Sequence, residues 1–164
     1  MKLESLRELF VQELGDLYSA ENMIVKALPK MMEKTSSPEL RKALDEHLQQ
    51  TRGHVRRLDQ IFDQLPKADR EDHKCKGMEG VIKEGEDLIK KDAEPEVRDA
   101  GIISAAQRVE HYEMAGYGTV RTYARLLGHN DWAQLLQQTL DEEKDADRIL
   151  NTLSERINLE AKAA

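Results

Sequence analysis

Hydrophobic residues recur at steps of three and four along most of the chain, which is the spacing of one face of an α-helix. The pattern predicts a short helix over about 74–91 and four long helices, over about 5–34, 38–65, 96–127 and 131–158. Ser5 and Ser37 are residues that commonly cap helices, and both stand at predicted helix starts. Gly128 is expected to end the third long helix.

The lengths of the connections predict the topology. Short turns join the first long helix to the second and the third to the fourth, so each pair should be antiparallel. The long connection between the second and third long helices contains the short helix, and it permits a crossover along the bundle. We therefore predict an all-α fold, a ferritin-like four-helix bundle, with 1–164 as a single domain. The residues after 158 should fray.

Polar residues interrupt each apolar stripe near its middle. On the third long helix the stretch V-E-H-Y-E places Glu110 and Glu113 on the face that should point into the core. An ionised carboxylate is costly there unless it is paired or bound to a cation. Counting from the turns at about 1.5 Å per residue puts the polar groups of all four helices at one level. The candidates are Glu21, His47, Gln50, His54, Glu110, Glu113, Glu143 and Asp147.

Carboxylates and imidazoles together form a donor set for iron or manganese, and zinc is also possible. Di-iron bundles take a Glu from two helices and a Glu-x-x-His motif from the other two. This chain departs from that template. Helix two offers His47-x-x-Gln50 and Thr51-x-x-His54, and Ala146 stands three residues after Glu143, so that Asp147 would have to substitute.

Simpler interpretations exist for several of these residues. Any one of the carboxylates, taken alone, could lie on the solvent-exposed rim of a stripe. His47 could be a core histidine satisfied by a hydrogen bond. Glu142 belongs to the charged run E-E-K-D and is expected on a solvated face. Tyr117 could act near a metal, or could simply pack with one hydrogen bond from its hydroxyl.

The amino-acid composition argues against several classes of function. A formal charge of −7 and a pI near 5.3 disfavour nucleic acid and anionic membranes as partners. No apolar run approaches the length of a membrane span, and the charged N-terminus does not resemble a secretory signal, so a cytoplasmic location is expected. The single Cys75 excludes a disulfide within the chain and a cysteine-based metal site.

Five segments carry a resemblance to a known family. They are Y-S-A-E-N, H-L-Q-Q-T-R-G-H, K-C-K-G-M-E-G-V-I, V-E-H-Y-E-M-A-G-Y-G-T and L-D-E-E-K-D-A-D. Together they span most of the chain and resemble the YciE/YciF ferritin-like family. The resemblance implies a bacterial stress-associated protein, commonly a dimer and often labelled a ferroxidase. It also implies that the metal ligands include Glu21, Glu110, Glu113 and Glu143.

Members of that family often carry Glu where this chain has Gln50, so His47 or His54 would have to supply the missing donor. We therefore expect a homodimer that binds two iron ions, or else manganese or zinc, and reacts with O2 or peroxide. In this hypothesis Glu113 bridges the metals and His54 is the imidazole ligand. The alternative is a non-enzymatic dimeric stress protein with a degenerate or structural metal site that acts by binding a partner.

Overall fold

The computed structural model describes residues 3–70 and 73–164, and these residues form helices and connections with no β-strand. The described ranges contain a 3-10 turn over Lys67–Asp69 and five α-helices: α1 (Leu6–Lys34), α2 (Pro38–Phe62), α3 (Lys76–Ile89), α4 (Pro95–Leu126) and α5 (Asn130–Ala163). The predicted all-α class is confirmed.

Local sequence signals set several helix ends. The Ser5 hydroxyl accepts a hydrogen bond from the Glu8 amide at 3.2 Å, and the Ser37 hydroxyl accepts one from the Leu40 amide at 3.3 Å. Each bond satisfies an amide that the first turn of a helix would otherwise leave free. Gly128 follows α4 with a φ of 84°, a left-handed conformation that favours glycine and stops the helix.

Two helices end at different residues from those predicted. Helix α2 stops at Phe62 rather than 65, because Pro66 disfavours helical backbone at the residue before it and the chain turns early. Helix α5 continues to Ala163 instead of fraying after 158. Ile157 is buried there, and Arg156 contacts Glu160 at 2.9 Å and Glu39 of α2 at 3.2 Å, so the last turns are attached to the bundle.

Contacts at the two ends of the bundle show the crossover. Asp99, near the start of α4, accepts hydrogen bonds from the amides of Ser36 and Ser37 at 2.9 and 2.7 Å, in the turn between α1 and α2. At the opposite end, Trp132 of α5 stacks on Phe10 of α1 with 6.0 Å between ring centroids. Helix α4 therefore starts beside the end of α1, and the connection after α2 runs the length of the bundle. The predicted ferritin-like arrangement is confirmed.

Two apolar clusters fill the interior. The turn-side core lies near the α1–α2 turn and includes Ile24, Leu28, Leu44, Ile102 and Leu150. The Trp132 core lies at the other end and includes Phe10, Leu14, Leu58, Val120 and Trp132. Along every long helix, the predicted polar residues stand between the residues of these two cores. The fold therefore places a polar layer between two apolar ones.

Candidate metal centre

Six carboxylate and histidine side chains of the middle layer are buried, and every long helix contributes at least one. They range from 0% to 6% exposed and are Glu21 of α1, His47 and His54 of α2, Glu110 and Glu113 of α4, and Glu143 of α5. A separation of seven residues between the two histidines, or of three between the two α4 glutamates, brings side chains to one helix face. The sequence spacing thus produces the convergence.

The first group of donors comprises His47, Glu110, Glu113 and Glu143. One potential ligand atom from each lies within 4.8 Å of those of the others. The His47 Nε2 atom is 3.2 Å from Glu110 Oε1 and 3.9 Å from Glu143 Oε2. Three carboxylates and one imidazole around one point can hold a divalent cation such as iron, manganese or zinc.

The second group comprises Glu21, His54 and Glu143, again with ligand atoms within 4.8 Å of one another. The His54 Nδ1 atom is 3.2 Å from Glu21 Oε1 and 3.0 Å from Glu143 Oε1. Glu143 belongs to both groups and directs one oxygen toward each histidine. Glu143 is therefore shared by the two groups, whereas Glu113, which was expected to bridge the metals, belongs to the first group alone.

Several of these buried atoms have no hydrogen-bond partner among the described residues. They are both oxygens of Glu113 and of Glu143, one oxygen each of Glu21 and Glu110, both ring nitrogens of His47, and Nδ1 of His54. A buried polar group without a partner costs about 1–3 kcal/mol, and more when charged. Metal ions would satisfy the carboxylate oxygens and one nitrogen of each histidine. His47 is thus no ordinary hydrogen-bonded core histidine within the described structure.

The electrostatics of the cluster also favour a cation. Burial raises the pKa of Glu110 and of Glu113 well above that of a free carboxyl, and the nearby Glu143 raises both further. Burial acts against ionisation of Glu143 as well, but contact with His54 and the charge of His47 outweigh it and lower that pKa to about 2. Burial opposes the charged form of His54, yet Glu142, Glu143 and Glu21 raise its pKa to about 12. In the metal-free protein the cluster therefore retains protons on His54 and on the α4 glutamates, and a divalent cation would displace them.

Glu142 corrects the expectation of a solvated face. Its Oε2 atom accepts hydrogen bonds from His54 Nε2 at 2.9 Å and Arg57 at 2.8 Å, and its Oε1 accepts one from Arg57 at 2.7 Å. Burial raises the pKa of Glu142, but His54 and Arg57 outweigh it and lower that pKa to about 2. An ionised carboxylate only accepts, so His54 carries a proton on Nε2 and directs Nδ1 toward Glu21 and Glu143. His54 and Glu142 are far apart in the sequence, so no local sequence pattern could predict this contact.

Tyr117 closes one side of the second group. Its side chain is fully buried, and its hydroxyl donates a hydrogen bond to Oε1 of Glu21. Burial raises the pKa of Tyr117 well above its usual value, and the charge of Glu21 adds to this effect. Tyr117 therefore remains a neutral donor that fixes the position of Glu21.

Asp147 and Gln50 lie outside both donor groups. Asp147 accepts hydrogen bonds from Gln107 at 3.1 Å and Asn151 at 3.2 Å, and it is only partly buried. Asp147 stands four residues after Glu143 on the same side of α5, but its short carboxylate is held at the edge of the layer by these two contacts. Gln50 is half-buried and lines a small crevice beside His47. The structure does not bring these two predicted ligands into the cluster.

Comparisons with known proteins agree with the fold. The family model described as a domain of unknown function, DUF892, matches residues 5–163. The chain is 41% identical over 154 residues to YciF of Escherichia coli strain K12, covering 94% of this chain and 93% of YciF. The crystal structure of the E. coli stress protein YciF superposes with a TM-score of 0.91 at 40% identity, over 94% of this chain and 98% of YciF.

A second solved structure is also similar. YcfI from Rhodopseudomonas palustris, provisionally described as a structural protein, has a TM-score of 0.88 and 40% identity, over 92% of this chain and 96% of its own. Among the described residues, no helix is long and apolar enough to cross a membrane. The match over nearly the whole length, with the shared bundle and its crossover helix, shows that the chain belongs to the DUF892 family, in which YciF is a relative.

Proposed function

We propose that the buried cluster binds two divalent metal ions, that iron is the functional metal, and that the protein oxidises Fe(II) with O2 or peroxide. The observation that supports this most is the pair of donor groups sharing Glu143. A carboxylate between two sites can hold two cations close together, as a reaction with one oxidant at two metals requires.

The donor set is chemically suited to iron. The oxygen ligands would come from four glutamates and the nitrogen ligands from two histidines: Glu21, Glu110, Glu113, Glu143, His47 and His54. Iron and manganese bind to such mixed ligands, and zinc can bind to them too. Two divalent ions would balance the charge of four carboxylates. Binding would also remove the cost of the polar atoms that lack partners in the described structure.

In the proposed reaction ferrous ion is the substrate. Two ferrous ions each give up one electron, and O2 accepts both with two protons from water and leaves as hydrogen peroxide. With peroxide as the oxidant, the same two electrons and two protons give two water molecules. The protein's part is to hold both ions in one water-poor layer, with His54 oriented by Glu142 and Glu21 by Tyr117.

Anaerobic titration with Fe(II), followed by exposure to air, tests this function. We expect two ions to bind per chain and the near-ultraviolet absorbance of oxo-bridged ferric iron to appear after air. Glu143→Gln should lose both binding and oxidation because both donor groups contain that residue. Asp147→Asn, one turn further along the same helix but outside both groups, is the matched control and should bind iron like the unsubstituted protein.

The opposite result would identify the alternative function. If the protein binds no iron and Glu143→Gln is more stable than the unsubstituted chain, the carboxylates are buried repulsion rather than a metal site. Gln50 in place of the frequent Glu, and the provisional description of YcfI as a structural protein, favour that second candidate. It is a non-enzymatic stress protein that binds a partner. The homodimer stays a prediction in either case, and light scattering would test it.

A further inference from the structure

An apolar cavity lies beneath the crossover helix α3, between it and helices α1 and α4. Its walls include Val81 and Ile82 of α3 and Ala105 and Val109 of α4, and its volume is about 30 Å³. His47 and Glu110, which belong to the first donor group, also line it. The cavity therefore joins the space under α3 to one of the two candidate metal positions.

A second opening reaches the same two residues from another side. This crevice lies between α2 and α5, has a volume of about 40 Å³, and includes the polar side chains of Glu46 and Gln50 in its lining. A hydrated cation can exchange its water for such groups, whereas an apolar passage offers it no replacement ligands. The crevice with these polar side chains therefore suits the entry of ions better than the apolar cavity beneath α3 does.

Size and chemistry restrict what can occupy the cavity beneath α3. Its volume exceeds the roughly 10–15 Å³ that one water molecule needs, but an ordered water also requires two to four polar partners, and the wall supplies few. Drug-sized ligands need about 300 Å³ or more. An uncharged diatomic molecule is small enough for this volume and needs no polar partners. At the rim, Lys30 Nζ and Glu86 Oε1 form an ion pair at 2.8 Å that joins α1 to α3 and narrows the entrance.

We propose that the cavity beneath α3 is a binding site for dioxygen and delivers it to the donor group at His47 and Glu110. The delivery rests on the proposed iron function, whereas the binding of an apolar gas does not. Because α3 forms one wall, the crossover helix has a chemical role in addition to covering the bundle.

Xenon, an apolar atom that is easily located, is the probe for this site. In crystals of the unsubstituted protein under xenon pressure, we expect a xenon atom beneath α3. Val81→Phe should fill the space and exclude it, and Ile82→Phe is a second filling variant should the first fold poorly. Val25→Phe is the matched control, because Val25 packs against the same turn-side core but does not line the cavity.

The second measurement is the rate of Fe(II) oxidation at limiting O2. We expect a several-fold slower rate in the variants that exclude xenon, with anaerobic Fe(II) affinity unchanged, and no change in Val25→Phe. An unsubstituted protein that takes up no xenon, or a filled variant that oxidises iron at the normal rate, would overturn the inference. The two proposals can also fail separately. If Val81→Phe abolishes xenon uptake but the protein binds no iron, the apolar site is upheld and the iron function is overturned.

Discussion

The Trp132 core and the polar layer are equally well buried, yet they act on stability in opposite directions. In the Trp132 core, Phe10, Leu14 and Ile61 are at most 1% exposed and surrounded by apolar neighbours, so their burial stabilises the fold. In the polar layer, Glu113 and Glu143 are 0% exposed, and their carboxylate oxygens have no hydrogen-bond partner among the described residues. Burial of these carboxylates costs free energy, which a bound cation would offset. The comparison shows that the apolar core stabilises the bundle, whereas the polar layer lowers the stability of the metal-free protein.

The largest effect should come from opening a cavity in the Trp132 core. Phe10→Ala removes a buried ring that stacks on Trp132, and we expect a loss of about 3–5 kcal/mol in the free energy of unfolding. Chemical denaturation of the metal-free protein measures this loss. Leu6→Ala, at a position 36% exposed in the same helix, is the control and should change stability little. A loss in Phe10→Ala no greater than in Leu6→Ala would mean that this end does not stabilise the bundle.

A substitution in the polar layer should have the opposite sign. Glu113→Leu replaces two oxygens without partners by methyl groups, and we expect the metal-free protein to gain about 1–3 kcal/mol. The same variant should bind Fe(II) more weakly, so added metal should raise its melting temperature less than that of the unsubstituted protein. Glu155→Leu, at an exposed position of α5, is the control for added hydrophobicity. Destabilisation by Glu113→Leu would show that the carboxylate is satisfied without metal.

The smallest effect should come from the edge of the polar layer. Glu142→Gln removes the charge that holds His54 in place, and we expect metal affinity to fall about tenfold with little loss of fold stability. The visible spectrum of bound Co(II) should change too, because it reports the geometry of the ligands. Asp145→Asn, exposed on the same helix, is the control. An unaltered spectrum and affinity would mean that His54 is held by other contacts or is not a ligand.

The sequence predicted the helices well because helical periodicity is a local property. The caps at Ser5 and Ser37 and the stop at Gly128 depend on neighbouring residues only, and all three are present. Helix ends fixed by distant contacts were predicted less well. Helix α5 reaches Ala163 because Arg156 contacts Glu39, which is far away in the sequence.

The site was predicted only in part, because some of its features are local along a helix and others depend on contacts between helices. Counting residues from the turns places Glu21, Glu113 and Glu143 at one depth, and depth follows from the rise per residue alone. Rotation about the helix axis is less certain, and this explains why Asp147 was counted as a ligand although it contacts Gln107 and Asn151. Glu142 was placed in solvent because its partners, His54 and Arg57, lie on another helix.

The sequence by itself thus determined that four amphipathic helices carry acidic and histidine side chains at mid-height. Spacing along one helix is enough to establish this. Only the tertiary structure decided that Glu143 belongs to two donor groups, that Glu142 contacts His54, and that His47 lines an apolar cavity under α3. These features depend on distances between helices that are remote in the chain, and a periodic pattern fixes which face a residue occupies but not which atom it meets.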